Sequence, residues 1–158
     1  MAKTVFYSFH YSNDVHRVQL IKHMGALEGQ PILNSQDWEA VRQRGDQAIQ
    51  NWIDNQMKWK KAVIVLIGRQ TAGRKWVKYE IEKAWSNNKP LLGVYIHGLA
   101  SLDDGPDRKG ESPFNKSLQI PVFDPTIKDF YGNIDTKATH RKLAANLENW
   151  SSRGAIRR

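Results

Sequence analysis

A parallel α/β sheet with helices on both faces is the fold this sequence predicts, and three observations carry the prediction. Ala62-Val63-Ile64-Val65-Leu66-Ile67 is an unbroken, largely β-branched run ended by Gly68, the pattern of a strand covered on both sides. Strand-like and helix-periodic segments alternate along the chain, which demands crossover connections and hence a wound sheet. The 158 residues, none of them cysteine, suffice for one hydrophobic core without disulfide or thiolate-metal staples.

The elements follow in order. Lys3 to Phe9 is rich in Val, Phe and Tyr and reads as the first strand. From Asp14 to Leu27 the apolar residues Leu20, Ile21, Met24 and Leu27 share one helical face, closed by Gly25 and Gly29. Pro31-Ile32-Leu33 suggests a brief second strand, followed by a polar loop through Asp37 and Trp38 to Gly45. Asp46 opens a helix whose face is Ile49, Trp52, Ile53 and Met57, and the Ala62 to Ile67 run is the central strand. Arg74 to Ser86 is helical with Val77, Ile81, Ala84 and Trp85 inward, and Leu91 to Ile96 is the next strand. After a long loop over 97–115, Ile120 to Phe123 makes a short edge strand, since it holds a proline, and Thr139 to Trp150 a last helix. Residues 1–150 thus read as a single domain with about five mainly parallel strands in a flavodoxin-like, three-layer order, and 151–158 as a basic tail expected to fray.

Composition excludes more than it selects. The start of the chain lacks the apolar core of a secretory signal, and no apolar run approaches a bilayer's width. A soluble, cytoplasmic protein without a membrane partner is expected. The five histidines show no ligand spacing, so no metal is expected. The net charge of +8 suits a phosphate-bearing partner. Its carriers are scattered, however, with short clusters only at Lys58-Lys60-Lys61, Arg74-Lys75 and Arg153, Arg157, Arg158, so nucleic acid is not an expected partner.

Ligands of such sheets bind outside the carboxyl ends of the strands, which here gathers the segments after Phe9, Leu33 and Gly68. On the helix that follows Gly68, Glu80 lies roughly 85° from the centre of the inward face, at its boundary. A carboxylate there is partly desolvated yet reachable, which raises its pKa; a surface pair with Lys83 is the competing reading. Trp76, one turn earlier, offers a ring that stacks on a base or packs as a lid. Arg74 and Lys75 at the helix start suit a pyrophosphate or merely a solvated turn. Gly68-x-x-x-x-Gly73 lacks the Lys and Ser/Thr of a P-loop. Ser8, His10 and Asp14 are the residue types of a hydrolase triad without a nucleophile elbow.

Val5-Phe6-Tyr7-Ser8-Phe9-His10-Tyr11, Ala62 to Gly68, Arg74 to Ile81 and Leu92 to His97 together resemble the TIR-like domain family that includes the Thoeris antiphage TIR proteins. The Trp76-x-x-x-Glu80 element is similar to the motif in which enzymatic TIR domains carry their catalytic glutamate. The resemblance implies Glu80 as the catalytic residue and places Phe6, Ser8 and His10 in the nucleotide pocket, with Asp37, Trp38, Arg74 and Trp76 as further substrate-binding residues. It implies cleavage of the nicotinamide-ribose bond of NAD, taken as substrate and not as cofactor. The product would be a cyclic ADP-ribose-type signal for a separate effector in antiviral defence, made by a hydrolase or cyclase that self-associates. Asn34 to Trp38 lacks the Pro-Gly of the corresponding animal receptor loop, and Lys60-Lys61-Ala62 stands where many TIR domains have a serine, which disfavours receptor-style signalling. A non-catalytic TIR-like interaction module is the alternative.

Overall fold

The computed structural model describes residues 3–100 and 105–157. Five strands, β1 (Lys3–Ser8), β2 (Leu27–Glu28), β3 (Ala62–Ile67), β4 (Leu91–Tyr95) and β5 (Val122–Phe123), form one sheet in the order β2-β1-β3-β4-β5. Every pairing is parallel, so the flavodoxin-like α/β architecture expected from the sequence is the one observed, with β5 at an edge. The helices are α1 (Tyr11–His23), α2 (Ser35–Gln43), α3 (Asp46–Met57), α4 (Lys75–Ser86) and α5 (Thr136–Ser151).

Central β3 pairs with β1 from Val5↔Ala62 to Ser8↔Val65 and with β4 from Val63↔Leu91 to Ile67↔Tyr95. All six of its residues are buried, which is why its sequence is apolar without alternation. The pleat sends Val5, Tyr7, Ile64 and Leu66 to one layer with Val18 and Ile21 of α1 and Leu143, Leu147 and Trp150 of α5. It sends Phe6, Val63, Val65 and Ile67 to the other, against Ile49, Ile53 and Met57 of α3 and Val77, Ile81 and Ala84 of α4. Helices therefore cover both faces, each contributing one apolar stripe.

Three expectations are corrected. The second strand lies at Leu27–Glu28, paired with Lys3 and Thr4, and not at Pro31 to Leu33. Just past it Gly29 packs on the Tyr7 ring, where a Cβ would come within 2.5 Å. Beyond it the Gln30 amide takes over the ladder: Tyr7 N donates to its Oε1 (2.9 Å) and its Nε2 donates to the Tyr7 carbonyl (2.8 Å). The polar stretch read as a loop is α2, capped by Asn34 Oδ1, which accepts from Asp37 N (2.8 Å). No residue of α2 is fully buried, so the apolar period that announces a helix is missing.

The tail, expected to fray, is tied down: Ala155 and Leu91 exchange both backbone hydrogen bonds, at 2.8 and 2.9 Å. Residues 101–104 of the expected 97–115 loop, together with Met1, Ala2 and Arg158, lie outside the described residues. No helix among the described residues is long and apolar enough to cross a membrane.

Candidate functional site

Alternation along β1 turns Ser8 to the same side of the sheet as Phe6, toward α4, and the first turns of α4 bring Glu80 over it. Ser8 Oγ donates to Glu80 Oε1 at 2.7 Å, with Ser8 fully buried and Glu80 7% exposed. Burial pushes the Glu80 carboxyl up to about 8, and the Ser8 hydrogen bond opposes the rise. A carboxyl so placed holds its proton more readily than an exposed one, and a cation beside it favours the ionised form.

Glu80 lines a cavity of about 330 Å³ at the carboxyl ends of the strands, within the size range of small-molecule sites. One wall is aromatic. Phe9 stacks on Tyr11 (6.2 Å between centroids), Tyr11 on Trp38 of α2 (5.7 Å), and Trp38 meets Trp52 of α3 edge-on (6.4 Å). The Tyr11 hydroxyl donates to the Leu33 carbonyl, fixing the loop before α2 against the end of β1. Trp76 joins from the first turn of α4, its edge against Tyr79 and the Lys75 ammonium over its ring.

Three cations, Arg42, Arg74 and Lys75, also line the cavity. Arg74 and Lys75 stand at the N-terminus of α4, where unpaired backbone N–H groups already favour an anion. Two polar atoms of cavity-lining residues are buried without a partner among the described residues, the Tyr7 hydroxyl and His10 Nδ1. Burial, and then the charge of Arg74, hold the His10 imidazole below its ordinary range. It is therefore a neutral hydrogen-bonding group at physiological pH.

Of the residues singled out from the sequence, Glu80, His10, Trp38, Arg74 and Trp76 line this cavity together. Ser8 stands behind Glu80 and reaches the cavity through it. Phe6 does not line it: the side chain is fully buried in the core against α3 and α4. Asp37 does not either, being exposed on the first turn of α2. The triad reading fails, since the Ser8 hydroxyl is spent on Glu80 and the Asp14 carboxylate is engaged by Arg17 (3.2 Å) and Asn13 (3.1 Å). The surface-pair reading of Glu80 fails too, because Lys83 pairs with Asp54 (3.6 Å).

Tyr7, Phe9, Tyr11, Gln30, Arg42 and Trp52 were missed. The aromatic period Tyr7, Phe9, Tyr11 at the end of β1 was a signal that pointed to the crevice. Arg42 gave none, because its placement depends on α2 being a helix; Gln30 is set by its amide bonds to the Tyr7 backbone, and Trp52 lies on the face expected for α3.

A flavodoxin-order sheet with a buried carboxyl on the helix after β3, facing an aromatic and basic cavity at the strand ends, describes a TIR-like domain. Residues 6–101, more than half of the chain, match the family model described as "Thoeris protein ThsB, TIR-like domain", and the chain belongs to this family. It is also similar to a protein of Bacillus cereus (strain MSX-D12) named "Putative cyclic ADP-D-ribose synthase ThsB1", at 29% identity over 120 residues, covering 73% of this chain and 62% of that protein. The chain thus spans less than two thirds of the length of this relative.

Proposed function

We propose that the chain is an enzyme that cleaves the nicotinamide-ribose bond of NAD at Glu80 and closes the remaining ADP-ribose into a cyclic signal. The observation that carries this reading is the Ser8–Glu80 pair at the wall of a cavity that also holds aromatic rings and cations, and the name of the relative supports it. NAD is a cation at its nicotinamide ring and an anion at its pyrophosphate. The nicotinamide riboside end takes the place beside Glu80 and Trp76, and the pyrophosphate takes Arg74 and Lys75 at the helix N-terminus. The cationic ring favours the ionised carboxylate, so binding itself drives Glu80 toward its working form.

In the reaction the C–N bond breaks with its electron pair going to the pyridine nitrogen, and neutral nicotinamide leaves without a general acid. Positive charge develops on the ribose, where a fixed carboxylate in a dry site stabilises it and accepts hydrogen bonds from the ribose hydroxyls. The electrophilic carbon is then captured. A hydroxyl of the same molecule, losing its proton, gives a cyclic isomer, and water gives ADP-ribose. The cyclic route is the proposal, with a separate effector as the reader of the signal, self-association of the chain, and a cytoplasmic setting.

Incubation with NAD, followed by chromatography for nicotinamide and mass spectrometry of the other product, tests the reading. Nicotinamide is expected together with a product one water lighter than ADP-ribose. Absence of nicotinamide at high protein concentration overturns the enzymatic reading, and ADP-ribose alone overturns the cyclase.

A further inference from the structure

A second group of cations stands at the amino edge of the sheet, away from the cavity. Lys58, Lys60 and Lys61 occupy the connection from α3 into β3, and Lys89 the connection from α4 into β4. The pairing of Ala155 with Leu91 brings the segment leading to Arg157 to the same end of β4.

The α3–β3 connection is fixed. The Lys89 ammonium donates to the carbonyls of Lys58 (3.2 Å) and Lys60 (2.8 Å), Lys60 N closes a turn on the Met57 carbonyl (3.0 Å), and Lys61 N donates to the Thr4 carbonyl (2.9 Å). That turn presents Trp59, whose side chain remains 79% exposed, with the Lys58 ammonium 5.2 Å from its ring centroid. Lys58, Lys60 and Lys61 enter no ion pair among the described residues. Burial and then the charge of Lys60 hold Lys22 below its ordinary range, and burial and then Lys61 do the same to Lys89. Asp54, the acidic group of α3 nearest this turn in sequence, is already engaged by Tyr79 (2.8 Å) and Lys83 (3.6 Å).

An anion relieves this crowding, and the exposed indole says which kind. A lipid surface calls for apolar neighbours that insert with the ring, but Trp59 has lysines on both sides. An acidic peptide uses the lysines and has no need of a flat π face. Unpaired nucleotides use both, a base stacking on the ring and the flanking phosphates meeting the ammonium groups. We propose that this amino-edge platform binds single-stranded nucleic acid, with a base on Trp59 and phosphates on Lys58, Lys60 and Lys61. Lys58, Lys60 and Lys61 are already close in sequence, and the fold adds Lys89 and the segment leading to Arg157 at the same end of the sheet. The site lies apart from Glu80, and the inference does not depend on the reaction proposed there.

Fluorescence anisotropy with a labelled oligothymidylate, at low and at physiological salt, tests the proposal. Affinity is expected to fall about 10-fold or more between the two, as for neutralisation of a few phosphates. Trp59→Ala should weaken binding roughly 5- to 100-fold, Trp59→Phe should restore most of it, and Lys58→Glu with Lys61→Glu should abolish it. These side chains are exposed, so an unchanged melting temperature is expected and checks that the fold is intact. No binding at low salt, unchanged affinity in Trp59→Ala, or equal competition by poly-glutamate or anionic vesicles overturns the proposal.

Discussion

Ser8 and Glu80, 72 residues apart in sequence, meet in a 2.7 Å hydrogen bond between two buried side chains. The bond joins the end of β1 to the second turn of α4, so the sheet itself sets the position of the carboxyl. Its electrostatic setting has measurable consequences.

Ionised Glu80 is the working form in the proposed reaction, and burial pushes its carboxyl up to about 8 in the free protein. kcat/KM, which reports the free enzyme, is therefore expected to rise about tenfold per pH unit below that value and to level off above it. Ser8→Ala removes the bond that opposes burial and should move the rise to higher pH, costing more activity at neutral than at alkaline pH. A pH–rate profile of both proteins checks this.

The same group sets a stability trend. Its carboxyl is raised on folding, so between the ordinary carboxylate range and about 8 the folded protein holds a proton that the unfolded chain has released. Stability is fully present below the ordinary value and is lost as pH rises through this window. Glu80→Gln escapes the loss. It should melt roughly 3–6 °C above the wild type in mildly alkaline buffer, with the gap closing toward acid pH. Thermal melts across the range measure it.

Gly68 ends β3 against the Asp14 carboxylate, where a Cβ would come within 2.1 Å of Oδ2, and Gly110 in turn sits over the Gly68 carbonyl. Asp14 is held by Arg17 and Asn13 and has little room to yield. Gly68→Ala is expected to cost about 2–3 kcal/mol of stability through overpacking, which denaturant titration would read.

Trp38 and Asp37 are neighbours on α2 with opposite expectations. Trp38 stacks on Tyr11 and lines the cavity, while Asp37 points to solvent. Trp38→Ala should raise KM for NAD roughly 5- to 30-fold with a smaller change in kcat, the loss expected for one stacking contact. Asp37→Ala should leave both constants near wild type. Steady-state kinetics separates them.

Much of this architecture was legible beforehand, and the reason is burial. β3 and α4 carry dense apolar patterns because both pack on the sheet, so Ala62 to Ile67 and Val77, Ile81 and Ala84 announced themselves. The wheel put Glu80 at the edge of the inward face, and contact with Ser8 carries it further in, to 7% exposure. What failed to show was held by polar chemistry. β2 is two residues long because the Gln30 amide completes its ladder, and α2 is capped by Asn34 with only Trp38 and Val41 packing partly inward. Neither leaves an apolar period. Phe6 was drawn toward the pocket by family resemblance, whereas strand alternation alone assigns it to the core beneath α3 and α4.

Release of nicotinamide from NAD by the wild type and by Glu80→Gln, with NAD binding measured on both, tests the central claim most directly. The wild type should release nicotinamide, and the variant should bind NAD yet turn it over slower by on the order of 100-fold or more. Equal release by the two proteins would contradict the assignment of the chemistry to Glu80.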